Sequence, residues 1–289
     1  MSESVTSEDR SGRGRSVRLV PFLFGVAAAL DRSELPGPIL VALLGDLGLT
    51  APAARALIAR MRRDGQLAGA RRGRTVDYRL AGPFAESFQR IRGGATGTPW
   101  AGHFHAVLYQ VPERHRAFRD RLRRTGTFVG YGLLQQGVLI APTDRRHLLD
   151  DVVAGAPADA TIHFARLQMQ RDDAARAAYT AWDLDALDRT YRAHARRLRG
   201  AIARRTTAPP ADGRTLRRFT DLLSGPLVDT LRATGLPADL APSAWALPDL
   251  RAAIGGVRAV YLPPATRYVR RLLDEQHPPA PYEDDEGPT

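Results

Sequence analysis

Residues 39 to 80 read ILVALLGDLGLTAPAARALIARMRRDGQLAGARRGRTVDYRL, and the punctuation of this stretch leaves few local structures open. Ile39 to Asp46 is an apolar helix that must stop at Gly48, a residue that accepts backbone angles other side chains resist. Thr50 is placed to cap a second helix, because its hydroxyl accepts a hydrogen bond from a free amide of the first turn. Pro52 lies early enough that its missing N–H costs nothing. At 100° per residue Ala54, Leu57, Ile58 and Met61 share one face, while Pro52, Ala56, Ala59 and Arg63 lie opposite and Arg55, Arg60 and Arg62 flank them. After Gly65, Gln66 to Ala70 and Thr75 to Leu80 pair as strands around an arginine-rich tip, Arg71-Arg72-Gly73-Arg74. Helix, turn, helix and hairpin in that order describe a winged helix-turn-helix.

That arrangement suits a helix entering a DNA groove. Bulky outward side chains would hold the helix off the base edges, whereas arginine reaches phosphates or the O6 and N7 of guanine. From Ala51 to Leu80 there are eight arginines against Asp64 and Asp77, a net +6 out of +11 for the whole chain. More than half the excess charge therefore sits in about a tenth of the length, the electrostatic footprint of a protein that binds a polyanion. The plainer alternatives are a solvated surface helix or a winged helix that binds protein, since clustered charge only correlates with DNA binding.

Composition narrows the classes. The chain has 289 residues, enough for two or three compact units. It has no cysteine, which removes disulfides, thiolate nucleophiles and cysteine-ligated metal centres together. No apolar run is long enough to span a bilayer, and the residues before Leu19 do not make a signal peptide, so a cytoplasmic protein without membrane contact is expected. All 42 basic residues are arginine. A GC-rich genome explains that bias, so the position of the charge carries more meaning than its sum.

Past the hairpin the pattern changes twice. Residues 1–16 are polar and aperiodic, a disordered arm. Val17 to Leu30 is a helix that packs under the helix pair, Asp31 to Pro38 is a loop, and Phe84 to Ile91 is a short amphipathic helix that closes the unit at residue 92. Residues 93–99 have linker composition. A second unit over 100–173 holds a strand at His103 to Val111, a basic helix at Glu113 to Arg124, two short strands within Thr127 to Ala141, a helix at Arg145 to Ala154 and a strand at Ala160 to Arg166. Strand, helix, strand, strand, helix, strand is the order of a ferredoxin-like fold. From Ala174 to residue 276 the pattern is helical: Leu184, Leu187, Tyr191 and Leu198 lie at helical spacing within Ala174 to Arg205, and helices resume at Leu216 to Thr234, Pro248 to Arg258 and Ala265 to Gln276. An acidic, proline-rich tail, also disordered, fills 277–289. The expected class is α+β: an N-terminal winged helix-turn-helix, a central ferredoxin-like domain and a C-terminal helical domain.

With these pieces placed, the chain resembles the bacterial PaaX-type transcriptional repressors from about Val17 to Leu273. The likeness rests on LLGDLGLTAPAARALIARMRRDGQL and GRTVDYRL in the first unit, on WAGHFHAVLYQVPERHRAFRDRLRRTG and GYGLLQQGVLIAP in the second, and on AWDLDALDRTYRAHARRL and LPADLAPSAWALPDLRA in the third. The chain departs from the family at SGPLVDTLRATG, where a basic stretch and a DP pair are usual, and at Leu139 or Ile140, where the family has a tryptophan. The resemblance implies a homodimer that binds double-stranded operator DNA through the winged helix, dimerises with help from the ferredoxin-like domain and is released by an acyl- or aryl-CoA thioester. It aligns Arg55, Ala56, Ala59 and Arg60 with the recognition helix, and Gly73 and Arg74 with the wing. Together with Thr50, Arg63, Arg71 and Arg72 these are the candidate DNA contacts. The effector site is not identified by any motif.

Other chemistry finds less support. The second unit also resembles CRISPR-associated nucleases of the same fold, which hold a metal with an aspartate at the end of the first strand. Here the one acid near that position is Glu113, which follows a proline, and a metal-assisted phosphodiester cut needs more carboxylates than that. A residual nuclease and a protein-interaction winged helix are the alternatives to a regulator; no enzyme, no cofactor and no metal are expected. His103 and His105 face the same way on a strand but have no third ligand nearby. Asp183 starts a helix, and Asp185 and Asp188 lie on its solvated face. Trp182 and Trp245 read as core anchors. The run Arg116, Arg119, Arg121, Arg123, Arg124 has three open readings: a solvated face, a dimer rim, or a grip on the phosphates of a CoA-like effector.

Overall fold

The computed structural model describes residues 19–92, 99–232 and 235–276. The expected arm, most of the linker and the acidic tail lie outside those residues. The fold is mixed α+β with two antiparallel sheets.

The first helix, α1, covers 19–27 and buries Val20, Leu23, Phe24, Val26 and Ala27. A two-residue strand, β1 (Leu35–Pro36), and helix α2 (Gly37–Asp46) follow; the segment expected as a loop up to Pro38 thus contains a strand and the first helical turn. Proline at the second helical position is compatible with that start, since its absent N–H is one of the unpaired donors there. Helix α2 closes with paired bonds from Gly48 N–H to Gly45 O at 2.8 Å and from Leu49 N–H to Leu44 O at 3.0 Å. That ending needs a left-handed residue, and Gly48 has φ 97°. Helix α3 (Ala51–Arg63) then leads to strands β2 (Leu67–Arg72) and β3 (Thr75–Leu80) and to helix α4 (Gly82–Arg92). Strand β3 lies between β1 and β2 in the sheet.

The central unit is built from β4 (His103–Gln110), α5 (Arg116–Val129), β5 (Gly132–Gln135), β6 (Val138–Ala141), α6 (Asp150–Ala154) and β7 (Thr161–Gln168). Its sheet has the order β5-β6-β4-β7, antiparallel throughout, which is the ferredoxin-like arrangement. Helix α5 runs through Thr127 to Val129, where a strand was expected. Its end is fixed by Gly130 at φ 98° and by the buried Arg145, whose guanidinium donates to Val129 O at 2.8 Å. A cation at the negative end of a helix dipole is well placed.

Strand β4 is covered on both sides. Val107 and Tyr109 join a core with Leu122, Val129, Leu139, Leu149 and Val152 under α5 and α6. Phe104 and Ala106 point the other way, into a second core that includes Trp182. Helix α7 (Arg171–Trp182) brings that tryptophan against the sheet so closely that a Cβ on Gly132 would sit 2.7 Å from the indole.

The helical stretch from Ala174 to Arg205 comprises α7 and α8 (Leu184–Ala203), which starts at Asp183 as its sequence position predicts; Asp183 takes φ 46° and accepts a hydrogen bond from Ala186 N–H. Asp188 is not merely solvated: it accepts from Ala246 N–H at 2.7 Å and pairs with Arg192. Helix α9 spans Gly213–Leu231 and α10 spans Leu247–Gln276 as one helix through Pro263 and Pro264. The two prolines suggested a break between separate helices. Burial of Tyr261, Pro264, Ala265 and Val269 on one side holds the helix together across them, tertiary packing outweighing local preference.

The first unit packs directly on these helices. Phe22 meets Phe219 edge to face at 4.9 Å, and the Tyr268 hydroxyl donates to Asp46 Oδ2 at 2.7 Å. Burial and the bond to Asp46 push the Tyr268 hydroxyl well above the usual tyrosine range, so it stays a donor at any physiological pH. Tyr268→Phe keeps the ring and deletes this bond, and should lower stability by about 1–2 kcal/mol, measured as a shift in urea midpoint at unchanged slope.

Candidate nucleic-acid interface

Helix α3 presents two contrasting faces. Ala54, Leu57, Ile58 and Met61 are buried, as their spacing predicts. Burying the three large ones contributes about 1.5–3 kcal/mol each and fixes the rotation of the helix. Arg55, Ala56, Ala59 and Arg63 are thereby exposed, with Arg60 half-buried beside them. The Thr50 side chain accepts from Ala53 N–H at 3.4 Å and starts the helix. At the other end Gly65, at φ 70°, allows Gln66 N–H to bond Met61 O at 2.8 Å and turns the chain into β2.

The hairpin tip is tighter than the sequence suggests. Arg72 pairs with Thr75, so Arg71 and Arg72 belong to β2 and the turn proper is Gly73-Arg74. Gly73 has φ 58°, the left-handed value that the first position of such a two-residue turn requires. Arg71 reaches back to Gly73 O at 3.4 Å, and Arg74 is exposed.

Arg72 differs from its neighbours. Its Nε lies 2.7 Å from Asp77 Oδ2 and its Nη2 lies 3.5 Å from Glu34. Asp77 is 7% exposed, and its other carboxylate oxygen is buried with no hydrogen-bond partner among the described residues. Arg72 therefore neutralises a buried carboxylate across the hairpin, and its charge is partly engaged before any ligand arrives.

Two residues that shape this surface are not among the candidates read from the sequence. Tyr78 on β3 lies across Gly69 and Gly37, where added Cβ atoms would come within 3.1 Å of its ring, and the Arg62 guanidinium sits over the ring, 5.8 Å from its centroid. Arg217, from α9, places its Nη2 2.6 Å from where a Cβ of Gly48 would be. The turn between α2 and α3 is thus covered by a guanidinium from a residue far along the chain. An alternation search along 66–80 could have picked out Tyr78; Arg217 is invisible to any local pattern.

In the second unit the two histidines of β4 lie side by side. His103 and His105 have ring centroids 5.1 Å apart, and His105 lies 4.0 Å from Asp144. Burial pushes the His105 imidazole below its usual value, with Asp144 opposing the shift. Among the described residues no group of three or more His, Cys, Asp and Glu side chains could hold a metal ion. No described helix is long and apolar enough to cross a membrane.

A helix and hairpin with an exposed cationic face are thus joined to a ferredoxin-like sheet in a mixed α+β chain. Residues 14–83 match the family model described as PaaX-like protein, and residues 97–178 match that of the PaaX protein central Cas2-like domain. The two matches together span more than half of the chain, which belongs to the PaaX family. Membership suggests a transcriptional regulator and implies DNA binding. Among solved structures, the uncharacterized protein Rv0674 from Mycobacterium tuberculosis is similar at 21% identity and a TM-score of 0.47, over 81% of this chain and 90% of that one. No curated protein matches the chain.

The Arg72–Asp77 pair separates structural from free cations in the hairpin. Arg72→Ala should lower stability by about 1–3 kcal/mol, whereas Arg74→Ala should stay within about 0.5 kcal/mol of the parent. Chemical denaturation of the two variants side by side checks this.

Proposed function

We propose that the chain is a homodimeric, cytoplasmic repressor of a catabolic operon. In this reading residues 17–92 form a winged helix-turn-helix that binds double-stranded operator DNA, residues 100–173 help dimerisation, and residues 174–276 form the helical domain that completes the responsive part. The observation that carries it is the outer face of α3, where the small side chains Ala56 and Ala59 are flanked by Arg55 and Arg60 and continue into Arg63.

Helix α3 is the element for the major groove. Its alanines let the backbone approach the base edges, and Arg55 and Arg60 are long enough to reach guanine O6 and N7. Thr50 and the first amides of α3 lie at the positive end of the helix dipole, suited to a backbone phosphate. Gly73 and Arg74 form the wing tip, with Arg71 beside them, and grip phosphates without reading sequence. Arg72 orders the wing through Asp77 and adds a share of its charge.

A dimer with two such helices binds an inverted repeat whose half-sites lie about one helical turn, or a multiple, apart. The resemblance to PaaX-type repressors supports an acyl- or aryl-CoA-type effector, which would release DNA by binding preferentially to a dimer geometry with the wrong spacing.

Electrophoretic shift of the chain's own upstream region tests the assignment. Arg55→Ala combined with Arg60→Ala should abolish the preference for that fragment over unrelated DNA, a loss of about 1–3 kcal/mol per base contact removed. Arg74→Ala should weaken binding to all DNA alike and reduce the salt slope by about one. Retained preference in the first variant would sink the recognition-helix assignment.

A further inference from the structure

The five arginines of α5 differ in what they meet, and Arg121 lies over the Phe118 ring. Arg116 pairs with Asp120 at 3.7 Å and Arg119 with Glu113 at 2.8 Å. Arg123 and Arg124 form no ion pair with a described residue. They line a cleft of about 430 Å³ together with Arg232, which follows α9, and the wall between them is apolar: Phe128, Val228 and Leu231. The one acid of the lining, Asp120, is already engaged by Arg116.

Three guanidinium groups lining one cleft repel one another, although solvent screens the repulsion because all three are exposed. An anion placed among them removes it and gains charge-assisted hydrogen bonds from planar donors that match phosphate and carboxylate oxygens. The apolar wall adds a place for a hydrocarbon or aromatic group. A cleft of this volume is in the range of small-molecule sites.

We propose that this cleft binds a small organic anion, a phosphate or carboxylate carried on an apolar group, and that its occupancy is felt at the DNA-binding unit. The consequence for DNA rests on the regulator reading above; the binding itself does not. Both walls of the cleft lead to that unit. Phe128 stacks on Phe84 at 5.5 Å with planes 15° apart, and Phe84 lies in α4, directly after strand β3 of the wing. The other wall is the end of α9, whose first residue, Gly213, packs against Asp46 and whose Arg217 lies on the turn at Gly48. Helix α9 is ~28 Å long at 1.5 Å per residue, so it spans from the cleft to the turn before α3. A ligand that draws α5 and the end of α9 together acts on the wing through α4 and on the helix pair through α9.

The full-length protein is titrated by calorimetry with phenyl phosphate, benzoate and neutral benzamide, alone and in the presence of a DNA fragment from its upstream region. At least one anion should bind at one site per chain and benzamide should not; phosphate alone or carboxylate alone binding identifies the head group. Arg124→Gln and Arg232→Gln, both exposed, should each weaken the anion roughly tenfold or more, while Arg74→Ala should leave it unchanged, which separates the cleft from the DNA surface. Bound anion should also weaken DNA affinity in the parent and not in the Arg124→Gln, Arg232→Gln double variant. The site is overturned if neither anion binds, if benzamide binds as well, or if the Gln variants bind as the parent does. Anion binding that leaves DNA affinity untouched overturns the coupling alone. A chain that binds anion and no DNA overturns the regulator reading and leaves the cleft standing.

Discussion

The apolar core shared between the first helices and the last ones is the constraint on which the rest depends. Val20, Leu23, Leu40, Leu43, Leu57 and Met61 belong to the same buried cluster as Leu216, Phe219, Leu250, Val257 and Val269. The cationic helix α3 is therefore not a bead on a string. Its inner face is locked into α2, and α2 is held by α9 and α10 through packing and through the Tyr268–Asp46 bond. Close-packed interfaces of this kind move as discrete units rather than deforming smoothly. Helix α9 joins the two regions, with Pro226 inside it and Arg217 on the turn before α3.

Charge is arranged around that core with a division of labour. Several cations serve the fold: the buried Arg145 closes α5, and the more exposed Arg197 and Arg72 donate to Leu222 O and neutralise the buried Asp77, respectively. Arginines that form no ion pair with a described carboxylate include those of the outer α3 face and those of the cleft beside α9. A net charge of +11 says nothing about this division. Contact with a particular buried group, such as the Asp77 carboxylate or the Val129 carbonyl, marks the cations that hold structure.

The face of α3 was legible because it is governed by local periodicity: Ala54, Leu57, Ile58 and Met61 are spaced as one side of a helix, and they are the buried ones. The ferredoxin-like strand order was legible for the same reason, since each element carries its own pattern between glycines and prolines. What escaped local reading was set by contacts distant in sequence. Pro263 and Pro264 look like a break, yet α10 continues because Tyr261 and Val269 are both buried against other helices. Asp183 looks like an ordinary helix start, and only the structure shows the left-handed break that lets Trp182 reach Gly132. Of the candidate contacts, Thr50 does start α3, while Arg72 turned out to be tied to Asp77, a partner whose burial no charge count reveals. Arg217 and the cleft of Arg123, Arg124 and Arg232 depend on α9 lying beside both α2 and α5, which local sequence does not encode.

The central claim is that α3 lies in a major groove as one of a symmetric pair. Methylation protection at guanine N7 over the chain's own upstream region tests this most directly, because N7 is exposed in the major groove alone. The account predicts two protected clusters related by a two-fold axis, with centres about one helical turn or a multiple apart, both lost in the Arg55→Ala, Arg60→Ala variant. Binding with no guanine N7 protected, or with protection unchanged in that variant, would contradict it.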